Sequence, residues 1–239
     1  MKPIIPLPGE DLLELGKRSN AVYVCPKIGS LRNGPLVAYA GKDNQGRNLV
    51  GDIYFNFRRI EVNPKAVEAF AVVACQKLRD QDLIDSFDTV CGIPQGGRTL
   101  GQMLALVAGK RFTYAEKKPK LTEAGKKQEY TWDLSQFYFE QGERVAIAED
   151  VYNNFQNTDS TLAEIALTGA KIVLLVGALN RSPIYDTTYK GLPVIASIRE
   201  AYPEYAQGDP AVSADIAAGR LELEVKKNWA RLLAINGEV

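Results

Sequence analysis

Apolar positions along the chain change period several times, and each change marks an element. Two β-type runs, LVAYA and VGDIYFNFRRIEV, flank GKDNQGRN, whose Gly, Asp and Asn content predicts a hairpin connection. In VNPKAVEAFAVVACQKLRD the period becomes helical, with Asn63 as N-cap, Pro64 at the first helical position and Val67, Phe70, Ala71, Ala74 and Leu78 on one face. From there strands and helices alternate: strand FDTVCGI, turn PQGG, helix RTLGQMLALVAG, strand RFTYAE, a long polar segment, strand RVAIAED, a loop, helix STLAEIALTG and strand KIVLLVGALN. GLPVIASI supplies a further strand after a turn containing Pro183, and the tail predicts a helix opened by Asp209 and Pro210, ended near Gly219, with Trp229 as an apolar anchor. Alternation of this kind implies right-handed crossovers and an α/β fold with a mostly parallel twisted sheet flanked by helices.

One connection is out of scale. Lys117 to Glu143 is too long for a routine link, and its first part is rich in lysine with almost no apolar residue. Such segments in compact domains act as lids or stay mobile, and mobility is the expectation for its first part. There is no internal repeat and no low-complexity linker.

Charge narrows the function classes. With 29 basic and 29 acidic residues in 239, no overall field draws the chain to nucleic acid or an anionic membrane, so a charged ligand must be met by local groups. Three separated cysteines without a C-x-x-C pair predict a reducing, cytoplasmic setting. The N-terminus carries prolines and acids where a signal peptide needs an apolar run, and IVLLVGAL is too short to span a bilayer. Histidine is absent, which removes imidazole from any mechanism and argues against a zinc site.

The chemistry gathers at the C-terminal ends of neighbouring strands, where α/β sheets bind ligands. After the first strand, Gly92, Pro94, Gln95, Gly96 and Gly97 form a turn whose backbone can approach an anion closely, and Arg98 adds a charge at the start of the next helix. After the third, a buried strand ends in Glu149 and Asp150, and Asp159, Ser160 and Thr161 are predicted to open a helix whose free N–H groups make a second anion site. Two anion sites flanking paired carboxylates suit a sugar phosphorylated at both ends, because carboxylates accept from vicinal hydroxyls and support positive charge on the ring.

The strand, acidic pair, loop and Ser-Thr helix start resemble the phosphoribosyl diphosphate (PRPP) motif of type I phosphoribosyltransferases, and GIPQGG resembles their pyrophosphate loop. The layout is most similar to the orotate phosphoribosyltransferase branch, over roughly 87 to 198. The resemblance implies one domain, with a core at about 64–200 and a hood from 1–63 and 201–239. It implies that Glu149 and Asp150 hold the ribose hydroxyls, that Thr158, Asp159, Ser160 and Thr161 lie at the 5′-phosphate, and that Gly92 to Gly97 receive pyrophosphate. Lys117 and Lys120 resemble lysines of the catalytic loop, which in that branch closes over the neighbouring subunit's site. Implied with it are Mg²⁺ bound mainly through PRPP, PRPP and a small base as ligands, and a homodimer. The chain departs from the pattern in four places: no glycine lies between Gly142 and Gly169, Gln95 stands for a basic residue, Glu116 for arginine, and the loop histidine is missing. These departures leave a binding module that senses PRPP or a nucleotide without turnover as a rival to the transferase, and some other phosphosugar enzyme as a third reading.

Overall fold

The computed structural model describes residues 4–119, 130–133 and 139–237. Its centre is a six-stranded sheet in the spatial order Thr188–Tyr189, Leu192–Arg199, Lys171–Asn180, Arg144–Tyr152, Thr89–Gly92, Arg111–Tyr114. Every neighbouring pair is parallel except the short first one. The strand Arg144–Tyr152 is paired on both sides, with Val145 opposite Thr89 and Ile172.

Residues of that strand serve the two faces alternately, as a pleated strand covered on both sides requires. Val145 and Ile147 pack with Ile165 and Leu175 on the side of the helix Gln156–Ala166. Ala146 and Ala148 pack with Ala74, Leu78 and Leu104 of the helices Pro64–Asp80 and Gly96–Ala108. Small residues set the helix close to the sheet here: a Cβ on Gly101 would lie 3.2 Å from the Ala148 methyl.

A second layer covers the C-terminal ends of the central strands, where Ile53 and Phe55 pack with Ala178 and Leu179. Leu36–Lys42 pairs antiparallel with Asn48–Gly51, as the hairpin pattern predicts, and Leu221–Glu222 from the far end of the chain adds to it in parallel. Val22–Val24 pairs with Ile53–Phe55. The final helix, Trp229–Gly237, is pinned by Trp229, which donates to the Asn20 carbonyl at 2.9 Å and packs against Tyr54.

Several elements differ from the pattern's prediction. FRRIE does not extend the strand but forms a short helix, Arg58–Glu61. Phe57 and Ile60, three apart, bury on the same side, with Phe57 edge-on to Phe70, and a helical turn achieves this where a strand would split them. Asn63 stands at the N-cap position but its side chain accepts from Ile4 N–H instead of capping. In the tail, Asp209 caps a turn through Ala211 N–H, and the helix starts only at Ser213. Within the lysine-rich segment Glu116–Pro119 pairs antiparallel with Tyr130–Asp133, and Lys118 forms an ion pair with Asp133, while 120–129, on which the expectation of mobility falls, lie outside the described residues.

Candidate functional site

The acidic pair lies near the end of the central strand, which continues through Val151 and Tyr152. Glu149 is 7% exposed, one carboxylate oxygen is buried without a hydrogen-bond partner, and burial followed by the charge of Asp150 pushes its pKa well above the ordinary 4.5. Asp150 is raised too, chiefly by burial and less by Glu61, against the lowering pull of its backbone N–H bonds and Lys226. The Glu149 oxygen held away from water has unmet capacity to accept a hydrogen bond, and Asp150 beside it is half-buried.

The glycine turn folds directly onto them. A Cβ on Gly97 would run into the Ala148 carbonyl, one on Gly96 into the Asp150 carboxylate, and one on Gly92 would lie 2.6 Å from the Gly97 carbonyl. Only bare backbone permits this approach, so the glycines are what bring the two motifs together. Ile93 N–H donates to Ala148 O at 2.8 Å, and the peptide bond between Pro94 and Gln95 is cis. Gly96 and Gly97 open the following helix, where amides lack intrahelical partners. Arg98 is placed otherwise: its guanidinium lies over the Tyr114 ring, 3.6 Å from the centroid. Burial pushes the Cys91 thiol up to about 12, so it is no nucleophile at neutral pH.

The helix expected to supply a second anion site starts earlier in the chain than the sequence predicts. The helix begins at Gln156, not at Asp159, and Asp159 N–H already bonds to Phe155 O at 2.9 Å. The free amides therefore belong to residues 156–158. Phe155 sets this start. Its ring is stacked between Tyr152 and Tyr189, at 4.7 and 4.2 Å, and its backbone takes a left-handed conformation, φ 59°. A non-glycine residue there costs roughly 1–2 kcal/mol, which burial of the ring in the stack offsets. Thr158 and Thr161 are buried and Ser160 is exposed. Asp159 turns to the sheet edge, accepting from Tyr189 OH at 2.9 Å and pairing with Lys190 at 2.7 Å. Of the loop lysines, Lys117 lies in the two-stranded ribbon opposite Trp132, and Lys120 lies outside the described residues.

Two cavities meet at Asp150. One, of about 270 Å³, is bordered by Tyr39, Tyr54, Asn153, Asn154 and Arg181. The other, of about 190 Å³, is bordered by Gln95, Gly96, Arg58 and Lys226. Tyr54, Phe55 and Asp150 belong to both, so they form one cleft between the sheet ends and the overlying layer. Arg58, Lys226 and Arg181 were missed in the sequence because each sits in an otherwise unremarkable segment; only the docking of the N- and C-terminal layer brings the first two to the glycine turn. Among the described residues no group of three or more His, Cys, Asp or Glu side chains is placed to hold a metal ion, and no helix is long and apolar enough to cross a membrane.

Solved structures share this fold. The chain superposes on orotate phosphoribosyltransferase from Aeropyrum pernix with a TM-score of 0.54 at 18% identity, covering 79% of this chain and 93% of that one. It superposes on Leishmania donovani UMP synthase with a TM-score of 0.52 at 15% identity, covering 95% of this chain and 42% of that one. The fold is that of the type I phosphoribosyltransferases. In sequence, the chain is 27% identical over 132 residues to an orotate phosphoribosyltransferase of Wolinella succinogenes, a stretch spanning 54% of this chain and 58% of that relative. No family model matches the chain. On the phosphoribosyltransferase fold, the acidic pair, the glycine turn and the helix start at 156 all lie at the C-terminal ends of parallel strands, the side on which such sheets bind ligands.

Proposed function

We propose that this protein transfers the 5-phosphoribosyl group of PRPP to a ring nitrogen of a nitrogenous base, a nucleobase of the class to which orotate belongs, and releases pyrophosphate. The observation that carries this reading is the contact of the Asp150 carboxylate with Gly96 where the two cavities join. A ribose over Glu149 and Asp150 would donate its hydroxyls to the two carboxylates, among them the Glu149 oxygen that has no partner. Its 5′-phosphate would meet the free amides of residues 156–158 and Thr158, and its diphosphate the amides of Gly96 and Gly97 with Arg58 and Lys226.

In the transfer the C1–O bond to pyrophosphate breaks with its electron pair leaving on oxygen, the base nitrogen bonds to C1, and the base's N–H proton passes to solvent water. Positive charge on the sugar is greatest between these events, and Glu149 and Asp150 would stabilise it. Arg58 and Lys226 neutralise the departing charge, with Lys117 or Lys120 assigned the same task from the loop. The carboxylates suit Mg²⁺ held largely by the diphosphate's own oxygens, where it would neutralise negative charge. A homodimer, with the 116–133 region facing the neighbouring site, belongs to the same proposal.

A second reading, a PRPP or nucleotide sensor without turnover, is favoured by the glycine-free phosphate turn and by the stacking of Arg98 on Tyr114. Calorimetric titration of PRPP with Mg²⁺ into the protein and into its Glu149→Ala/Asp150→Ala variant tests the shared site. Binding that the double substitution abolishes supports both readings, and pyrophosphate release then selects the transferase. Absence of binding to the folded wild type overturns both.

A further inference from the structure

The larger cavity carries a buried polar cluster that phosphoribosyl transfer as such does not require. Arg181 follows the strand Lys171–Asn180, is 7% exposed, and lays its guanidinium over the Tyr39 ring at 3.9 Å. Tyr39 is itself fixed, donating its hydroxyl to Ile53 O at 2.7 Å and lying where a side chain on Gly51 would collide with it. Arg181 Nη2 donates to Glu204 Oε1 at 2.9 Å, and Asn153 Nδ2 donates to the same oxygen. One carboxylate oxygen therefore clamps an arginine and an amide side by side.

Two atoms of this cluster have no partner: Arg181 Nη1, a donor, and Asn153 Oδ1, an acceptor, both buried. Leaving such atoms unpaired in the interior is costly, and both belong to residues that border the cavity. An edge with a hydrogen-bond acceptor beside an N–H satisfies both together. Lactam and amidine edges of nucleobases have this form.

Charge sharpens the choice. Among the described residues bordering this cavity only Asp150 and Arg181 are charged, and Glu204 already neutralises Arg181. A carboxylate on the incoming base would find no uncompensated cation and would approach Asp150.

We infer that the acceptor is an uncharged nucleobase presenting an adjacent acceptor–donor edge, such as uracil, hypoxanthine or adenine, with Arg181, Asn153 and Glu204 as its specificity determinants. Orotate, the base named for the relatives, carries the disfavoured carboxylate. This inference rests on the transferase reading. It goes further by naming the substrate class, and it makes Glu204 the residue that withholds the Arg181 charge from an anionic base.

Nucleoside 5′-monophosphates test the pocket without turnover. Calorimetry of UMP, IMP, AMP and orotidine 5′-monophosphate should show at least one uncharged-base nucleotide binding about tenfold or more tighter than the orotidine nucleotide. Glu204→Gln frees the arginine and should narrow or reverse that ratio by about tenfold. Asn153→Ala, at a half-buried position and without a charge change, should weaken the preferred nucleotide about five- to tenfold while changing the orotidine nucleotide by less than about twofold. Equal or tighter orotidine nucleotide binding by the wild type overturns the inference and leaves the transferase reading intact. An unchanged ratio in folded Glu204→Gln, with Asn153→Ala weakening all nucleotides alike, also overturns it. If no nucleotide binds, the transferase reading falls and this inference with it.

Discussion

Replacing Glu149 by glutamine should stabilise the protein and weaken its ligand together. The wild-type carboxyl is buried beside Asp150 with one oxygen unpartnered. An unsatisfied buried polar group costs about 1–3 kcal/mol, more when charged, and the neutral amide escapes the charged part of that cost. For a chain of this size about 1 kcal/mol moves Tm by about 2–4 °C, so a rise of roughly 2–12 °C is expected near neutral pH. The pH dependence has a fixed sign. Glu149 is held well above 4.5 in the fold, so the folded chain keeps a proton that the unfolded chain has lost. Its contribution to stability is full below about 4.5 and is lost as pH rises through the folded value. The gain from glutamine should accordingly be small near pH 4 and grow towards neutrality. Ligand binding moves the other way: above the folded value, where Glu149 is ionised, losing a charge-assisted bond to a ribose hydroxyl costs about 1.5–3 kcal/mol, a weakening of Mg–PRPP by about 10- to 150-fold. Thermal melts at several pH values and calorimetry measure both effects. A Tm that falls, a gain independent of pH, or unchanged PRPP affinity would refute the reasoning.

Other perturbations separate the parts of the cleft. Gly97→Ala drives a methyl into the Ala148 carbonyl and should destabilise the fold, whereas Gly96→Ala meets the movable Asp150 carboxylate and should spare Tm more while abolishing PRPP binding; melts beside calorimetry distinguish the two. The double variant Arg58→Ala/Lys226→Ala should raise the KM for PRPP by about tenfold, with an effect that shrinks at high salt because both side chains are exposed. Lys226→Arg should restore most of that loss, and a salt-independent KM would count against the assignment. Phe155→Ala should cost about 3–5 kcal/mol by emptying the stack between Tyr152 and Tyr189. Phe155→Gly should cost about 1 kcal/mol less, since glycine relieves the left-handed backbone; denaturant unfolding reads the order.

Much of the fold is legible because its signals are local. The alternation in RVAIAED, the glycines of PQGG and the helical spacing after Pro64 each depend on neighbours in sequence, and the sheet reproduces them. Elements set by distant packing are less legible. FRRIE reads as strand until Phe57 and Ile60 are seen to bury together, and the helix start at Gln156 depends on aromatic partners as far along as Tyr189. At the site, the acids and the glycine turn announce themselves because their chemistry needs unusual residues in unusual places. Arg58, Lys226, Arg181 and Glu204 do not, since charged residues are common and only tertiary docking selects these four. Arg98 shows the converse, a charge beside the glycine turn whose guanidinium stacks on Tyr114.

The central claim is that the cleft at Glu149 and Asp150 transfers a phosphoribosyl group. The most direct measurement is pyrophosphate release from Mg–PRPP over a panel of bases including orotate, uracil, hypoxanthine and adenine, with Glu149→Ala/Asp150→Ala as the control. The account predicts release that requires both a base and the acidic pair. Release with no base in the panel, from a folded protein that binds Mg–PRPP, would contradict it.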